Sequence, residues 1–366
     1  MKIKKILRGK TAPLFLATAI LTLASFASSI ANAADLQRYE FETEKMGSPL
    51  RVILYAPDDA TAKDAVEAVW KRFDELNDAL SDWNPESEII RVSRESDATG
   101  GRVALGADLR RALEESRFYC ELTEGAFDPT VGPVVKLWRR SRYFHERPPR
   151  EALERASAVV GLGAWDIDAD GLRADKNARF DVGGIAKGIA LDEALAVLKE
   201  KGIRSALVDA SGDLRIGDPP PNKSGWRVGV SSLSDAPAFY LETSNVGIAS
   251  SGDANRYVEI DGARYSHIID PRTREPLTRR CVSTVLAPTA TCADALASAL
   301  CVLGAKDGPR VLERAREQEE WSPFEYILIQ VSNETAIAPY SRSDLEITGS
   351  SGFLREFNAA NVAICR

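Results

Sequence analysis

The sequence predicts an α+β fold, one large domain or two fused subdomains of mostly antiparallel sheet flanked by helices. Three observations predict it. Helix-period apolar patterns lead the chain at residues 66–80 and 109–120, short strand-like runs crowd together after residue 205, and the two kinds of element do not alternate as they would in a regular βαβ protein. There is no internal repeat at solenoid spacing and no low-complexity tract. A chain of 366 residues, 44% of them hydrophobic, is long enough to bury a sizeable core.

The first element is a leader. Lys2, Lys4, Lys5, Arg8 and Lys10 precede an apolar run from about Ala12 to Ile30, and Ala31-Asn32-Ala33 supplies the small-x-small pattern of a signal-peptidase site. Residues 1–33 therefore read as a secretory signal and 34–366 as the folded domain. The competing reading, a membrane anchor, is disfavoured because Thr18, Thr22, Ser25, Ser28 and Ser29 interrupt the apolar run. Losing a segment with five positive and no negative charges takes the formal charge from −7 to −12. That balance argues against nucleic acid or an anionic membrane as partner. Five cysteines, Cys120, Cys281, Cys292, Cys301 and Cys365, show no CxxC spacing, so neither a zinc site nor a disulfide framework is expected. Cys292 and Cys301 fall in an Ala/Leu-rich run that suits small buried thiols.

Val52 to Tyr55 has strand composition, and Val66, Val69, Phe73, Leu76 and Leu80 then mark one face of an amphipathic helix. Trp83 sits alone in the polar turn that follows, either as a core edge or as a stacking wall for a flat ring. Leu109, Ala112, Leu113 and Cys120 mark a second helix that stops at Glu124-Gly125. Ala126 to Pro133 is a loop stiffened by two prolines and a glycine, of the kind that holds ligand contacts well. From Lys136 to Arg150 the chain is basic and aromatic, with five arginines and His145, and reads as a solvated surface excursion.

Asp181-Val-Gly-Gly-Ile-Ala-Lys-Gly188 then precedes a run with Leu191, Ala194, Leu195 and Leu198 on one face. Glycines leading into a helix place backbone N–H groups and the positive helix end beside a lysine and a carboxylate, which suits a phosphorylated ligand. The plainer alternative is a strand-to-helix turn whose glycines allow close packing, with Asp181 as a cap and Lys187 in solvent.

Strands follow at Ser205–Asp209, from the turn Ala210–Arg215, and at Trp226–Val230, Ala238–Glu242 and Val246–Ala249. Ser250 to Tyr257 reads as a polar glycine turn, and Asp261-Gly262 as a hairpin signal ahead of Arg264-Tyr-Ser-His-Ile-Ile-Asp-Pro271. His267 is one of two histidines, and a lone histidine is more often structural than catalytic. Ser283–Ala287 is a strand, and Pro288 opens a helix in which Asp294 and Ser298 share one face while Leu296, Leu300 and Leu303 lie roughly opposite. Such oxygens suit Mg²⁺, which takes one or two protein oxygens plus phosphate and water; a buried carboxylate capping a turn is the alternative. The tail holds a helix near Pro309–Arg316, a strand Tyr326–Val331, and Ser350-Ser-Gly-Phe353.

Taken together, these pieces resemble the FAD:protein FMN transferase family, the ApbE-like flavin transferases. The similarity is carried by Met46-Gly47, Trp83 through Ser87-Glu88-Ile89, Phe127-Asp-Pro129, Asp181 through Gly188, Ser251-Gly-Asp253, Tyr265 through Pro271, Ala293-Asp-Ala-Leu296 and Ser351-Gly-Phe353, which cover nearly all of the mature chain. Each is short, and together they follow the family's order. The resemblance implies a periplasmic enzyme that uses FAD and Mg²⁺ to attach FMN through a phosphoester to a threonine or serine of a partner flavoprotein, releasing AMP. By matching positions, Met46, Trp83, Ala126, Phe127, Asp128, Asp181, Lys187 and Ile268 would contact FAD. The metal would be held by the Asp294 and Ser298 side chains and by backbone oxygens of Gly184 and Ala297.

Three features depart from the family pattern. Ser298 stands where threonine is common, which keeps a hydroxyl. Ser211 stands where a second glycine is usual in Asp209-Ala-Ser-Gly-Asp213, which opens the question of that turn's backbone path. No cysteine lies at the cleavage site, so the expectation is a soluble protein without a lipid anchor. For the chemistry, His267 is the candidate general base, since a near-neutral imidazole suits removal of a hydroxyl proton, with Asp181 as the alternative. The rival readings are an FAD pyrophosphatase with water as acceptor and a non-catalytic FAD carrier.

Overall fold

The computed structural model describes residues 36–234, 236–253, 256–317, 322–331 and 345–364. The expected leader, Ala254, Asn255 and Cys365 lie outside the described residues.

A hairpin of β1 (Gln37–Lys45) and β2 (Ser48–Ala56) leads into helices α1 (Asp59–Leu80), α2 (Glu88–Thr99) and α3 (Ala107–Leu122). A short 3-10 turn, Pro129–Val131, runs into α4 (Gly132–Phe144), followed by α5 (Arg150–Ser157) and the small hairpin β3 (Trp165–Asp168) and β4 (Gly171–Ala174). After α6 (Ala186–Glu200) come β5 (Ala206–Ala210), β6 (Asp213–Ile216), β7 (Trp226–Val230), β8 (Phe239–Thr243) and β9 (Gly247–Gly252). The rest is the hairpin β10 (Tyr257–Ile260) and β11 (Ala263–Ser266), the short pair β12 (Ile269–Asp270) and β13 (Glu275–Pro276), β14 (Cys281–Ala287), α7 (Ala290–Arg316), β15 (Glu325–Val331), β16 (Leu345–Gly349) and α8 (Ser351–Ile364).

Eight strands form one antiparallel sheet in the order β1-β2-β5-β6-β9-β14-β15-β16. Its central strands are apolar on both faces. In β2, Leu50, Val52 and Leu54 point to one core and Ile53 to another; in β15, Tyr326 and Leu328 point one way and Ile327 and Ile329 the other. The period of two along each strand therefore builds two cores from one sheet. The larger core packs α1, α3, α6 and α7 on one face, and the smaller places the β7–β8 hairpin and α8 on the other. The expected α+β architecture is the one observed.

Local signals account for the helix ends. Asp58 caps α1 by accepting from the Thr61 N–H at 2.7 Å, and Val66, Val69, Phe73, Leu76 and Leu80 are buried along its inner face. Helix α7 covers the expected helix after Pro288 and the expected one near Pro309, joined end to end across Gly304, whose φ of 69° and ψ of −174° break the helical path.

Two expectations are corrected. The Lys136–Arg150 run is not a surface excursion: its first part is α4, whose Val134, Trp138 and Ser141 form a buried stripe at helical spacing under a coat of arginines. Trp138 stacks on Tyr265 and, with Val258, Ile260 and Ile269, fastens α4 to the β10–β11 hairpin in a third cluster. The Ser250–Tyr257 run is not all turn either. Ser250, Ser251 and Gly252 belong to β9 and pair with Thr284, Ser283 and Val282 of β14, because their polar side chains face internal partners instead of water.

Candidate active site

The Asp181–Gly188 segment leads into α6 and lies between α7 and the loop after α3. Its first residue does not cap the helix. Asp181 instead accepts from the Gly183 N–H at 2.8 Å and from the Arg139 guanidinium at 3.0 Å. The same guanidinium binds Asp82 and lies 4.3 Å from the centre of the Trp83 ring. Burial and the nearby Asp82 push the Asp181 carboxyl up, while Arg139 and the Gly183 N–H pull it down. Trp83 is 73% exposed, so it is not a core edge: one face is covered by Arg139 and the rest is open.

The loop after α3 is locked from within. Thr123 Oγ1 accepts from the Phe127 N–H at 3.0 Å, and Asp128 accepts from both the Thr130 N–H and its hydroxyl. Asp128 is buried, which raises its carboxyl above the usual range. The Asp181 N–H donates to Pro129 O at 2.7 Å, tying this loop to the glycine segment. The Phe127 ring lies against Gly184, where an added Cβ would sit 3.2 Å from Cε2 and 3.6 Å from Ser298 Oγ. Ala126 is buried beside it.

At the far end of the segment, the Gly188 N–H donates to Asp294 Oδ2 at 3.0 Å, which seats α6 against α7. The N–H groups of Gly184 and Lys187 form no hydrogen bond among the described residues. Lys187 is not in free solvent: its ammonium is ion-paired with Asp213, which is 2% exposed and also accepts from the Ser250 N–H at 3.1 Å. Ser251 Oγ lies 3.4 Å from Ser298 Oγ, and Ser283 Oγ donates to Ala297 O at 2.7 Å.

These contacts test the expected metal donors. Asp294 and Ser298 are on the same face of α7, Ser298 lies beside Gly184, and the Ala297 carbonyl is turned to the same polar seam. Asp294 is buried with no ion pair among the described residues, and its burial pushes the carboxyl up against the pull of Lys187 and the Gly188 N–H. One carboxylate, one hydroxyl and the Ala297 carbonyl make a hard, incomplete oxygen set, which fits Mg²⁺ completed by phosphate and water. No group of three or more His, Cys, Asp or Glu gathers among the described residues, so the donors do not resemble a zinc site.

His267 follows β11, directly across the hairpin mouth from Arg256. Its N–H donates to Arg256 O at 2.9 Å, and its ring Nδ1 lies 3.2 Å from the same carbonyl. A carbonyl only accepts, so Nδ1 carries the proton and Nε2 keeps a free lone pair. Burial first, and then the charges of Arg256, Arg142 and Lys187, push the imidazole down to about 4, lower than the near-neutral value expected from sequence. Ile268 is buried, with its N–H on Ser266 Oγ at 3.0 Å. Met46 occupies the β1–β2 turn at φ 49°, half-buried against the main core.

The fold thus gathers Trp83, Phe127, Asp181, Gly184, Lys187, Asp294 and Ser298 around one glycine segment. Sequence reasoning missed Arg139, hidden in an arginine-rich run, and Asp213, whose turn was noticed but whose carboxylate was given no role. Asp209-Ala-Ser-Gly-Asp213 keeps a two-residue hairpin path, with Ser211 at φ 57° and Gly212 at φ 94°.

Residues 46–321 match the sequence model of the ApbE family. A FAD:protein FMN transferase of Vibrio cholerae is 32% identical over 264 residues, covering 70% of this chain and 78% of the relative. One from Haemophilus influenzae is 30% identical over 261 residues, covering 68% and 74%. The solved flavin transferase ApbE of Vibrio cholerae superposes with a TM-score of 0.74 at 26% identity, covering 88% of this chain and 99% of that one.

Proposed function

This chain belongs to the ApbE family and is a flavinyltransferase, and from that premise we propose that it transfers FMN from FAD to a threonine or serine hydroxyl of a partner flavoprotein, with Mg²⁺, releasing AMP. The observation that carries the reading is the Gly188–Asp294 contact, which sets Lys187 and two free N–H groups beside Asp294 and Ser298. A phosphorylated ligand there meets cationic and oxygen-donor chemistry together.

When bound, Mg²⁺ neutralises pyrophosphate charge; Asp294, Ser298 and the Gly184 and Ala297 carbonyls would hold it. Lys187, aligned by Asp213, meets the same phosphate oxygens, and the open face of Trp83 receives a ring of FAD while Asp181 takes a ring N–H. His267 Nε2 removes the proton from the acceptor hydroxyl as that oxygen bonds to phosphorus of the FMN half. The P–O bond to AMP breaks, and AMP leaves with the electron pair. An imidazole at about 4 is a weak base in the free enzyme; a pyrophosphate arriving beside Lys187 offsets the cations that depress it and raises its basicity.

Incubation with FAD, Mg²⁺ and a candidate acceptor flavoprotein, followed by mass spectrometry of all components, tests the reading. Transfer gives an acceptor heavier by FMN minus water, with AMP. Free FMN with AMP would make the protein a pyrophosphatase, and FAD recovered intact would make it a carrier. The leader reading places this chemistry in the periplasm; among the described residues no helix is long and apolar enough to cross a membrane.

A further inference from the structure

The wall around His267 is cationic on a protein whose net charge is negative. Helix α4 carries Lys136, Arg139, Arg140 and Arg142 and no acidic residue. Arg139 is consumed by Asp82 and Asp181, but Arg140, Arg142 and Arg256 form no ion pair among the described residues. Arg142 is the unusual one: it is partly buried, and that burial together with the charges of Arg139 and Arg256 lowers its pKa. Packing of Trp138 on Tyr265 holds α4 against the β10–β11 hairpin, at whose mouth the Arg256 carbonyl binds the His267 N–H, so Arg142 and Arg256 bring positive charge near His267 from two separate elements. Beyond them the last turn of α4 exposes Tyr143 at 80% and Phe144 at 54%, with the Arg140 guanidinium 5.3 Å from the Phe144 ring.

Crowded guanidinium groups without carboxylates call for an anion from outside, and arginine binds carboxylates in a fixed, two-pronged geometry. We propose that Arg142 and Arg256 are the recognition face for the acceptor protein, binding a carboxylate that flanks the target hydroxyl, with Tyr143 and Phe144 as the adjoining apolar contact. This rests on the transfer reading, because an acceptor hydroxyl must approach His267 past these side chains. Charge complementarity identifies the occupant as an acidic protein segment. It also gives a negatively charged enzyme a basic surface beside its site, since such a patch speeds encounter with an acidic partner and selects against basic ones.

The test uses the whole protein loaded with FAD and Mg²⁺ and two fluorescein-labelled twelve-residue peptides, each with one central threonine, flanked in one by glutamates and in the other by glutamines. Wild type should bind the glutamate peptide about tenfold more tightly or better, the usual worth of a charge-assisted contact. Arg142→Gln with Arg256→Gln should reduce that preference to about twofold or less, while Arg142→Lys with Arg256→Lys should restore part of it. Melting curves and FAD affinity are measured on the same proteins. Equal binding of the two peptides by wild type, binding of neither, or a preference that survives the double glutamine variant overturns the proposal. So does a drop in FAD affinity with the peptide preference intact, which would give the pair to the FAD phosphates. AMP release from FAD with a flavoprotein acceptor reads the transfer reaction separately, so failure of that reaction is visible even where the peptide preference holds.

Discussion

The guanidinium of Arg139 lies 4.3 Å from the centre of the Trp83 ring and is fixed there by two carboxylates, Asp82 and Asp181. An exposed indole is thereby given one orientation. Without that ion pair network the ring would sample several rotamers, and a flat ligand would have to order it on binding.

Trp83→Ala should weaken FAD binding by on the order of 1 kcal/mol or more, since a stacking face is lost. Melting temperature should change little because the side chain is 73% exposed. Equal FAD affinity, measured by flavin fluorescence titration, would remove Trp83 from the ligand site. Arg139→Gln should also weaken FAD binding through Trp83 and Asp181 and, unlike Trp83→Ala, should lower stability as well, because two partly buried carboxylates lose their shared cation.

His267→Ala should slow transfer by roughly 10² or more with FAD affinity nearly unchanged. His267→Asn should be about as slow, because it can hydrogen-bond but cannot take the proton. If both variants bind FAD poorly yet turn over normally at saturation, the base is to be sought at Asp181.

The same histidine predicts a pH signature of stability. Its imidazole is held at about 4 in the folded chain against an ordinary value of 6.5. The unfolded chain therefore binds the extra proton between those two values, so this residue has no effect on stability above pH 6.5 and becomes destabilising as pH falls toward 4. His267→Gln should remove that part of the acid sensitivity, seen as a smaller loss of urea midpoint between pH 6.5 and 4.5. An unchanged loss would show that the imidazole is not depressed.

Asp294→Ala should abolish turnover at limiting Mg²⁺ while FAD binding persists weakly, since the ring contacts lie elsewhere. Asp294→Asn can still accept from the Gly188 N–H, so it should fold like wild type and yet need more Mg²⁺ for half-maximal rate. Wild-type Mg²⁺ dependence in both variants would exclude Asp294 as a donor.

Gly188→Ala should destabilise the fold by about 1–3 kcal/mol, the usual cost of overpacking. A Cβ there would lie 2.6 Å from both Ala290 O and Thr291 Cα, where α6 crosses the start of α7. Unfolding in urea gives the direct measurement, and a wild-type midpoint would mean that the two helices separate freely at this crossing.

Much of this protein was legible without coordinates. Period-two and period-3.6 patterns placed β2, α1, α3 and β14, because burial of a strand or helix face leaves a local record in the residues that form it. Glycines ahead of a helix marked Asp181–Gly188 and helical spacing put Asp294 and Ser298 on one face, while the resemblance in motifs supplied the ligand roles that spacing alone left open. The tertiary structure decided the rest for one physical reason: partners distant in sequence leave no periodic trace. Arg139 looked like one solvated arginine among five until α4 turned it toward Asp181, 42 residues further on. Asp213 became the counter-charge of Lys187 only through the placement of β6 beside α6, and the serines of β9 could be strand residues only because β14 and α7 supplied hydroxyl partners. The depressed basicity of His267 likewise belongs to no local motif, since it comes from burial and from cations on α4, α6 and the hairpin mouth that only the fold assembles.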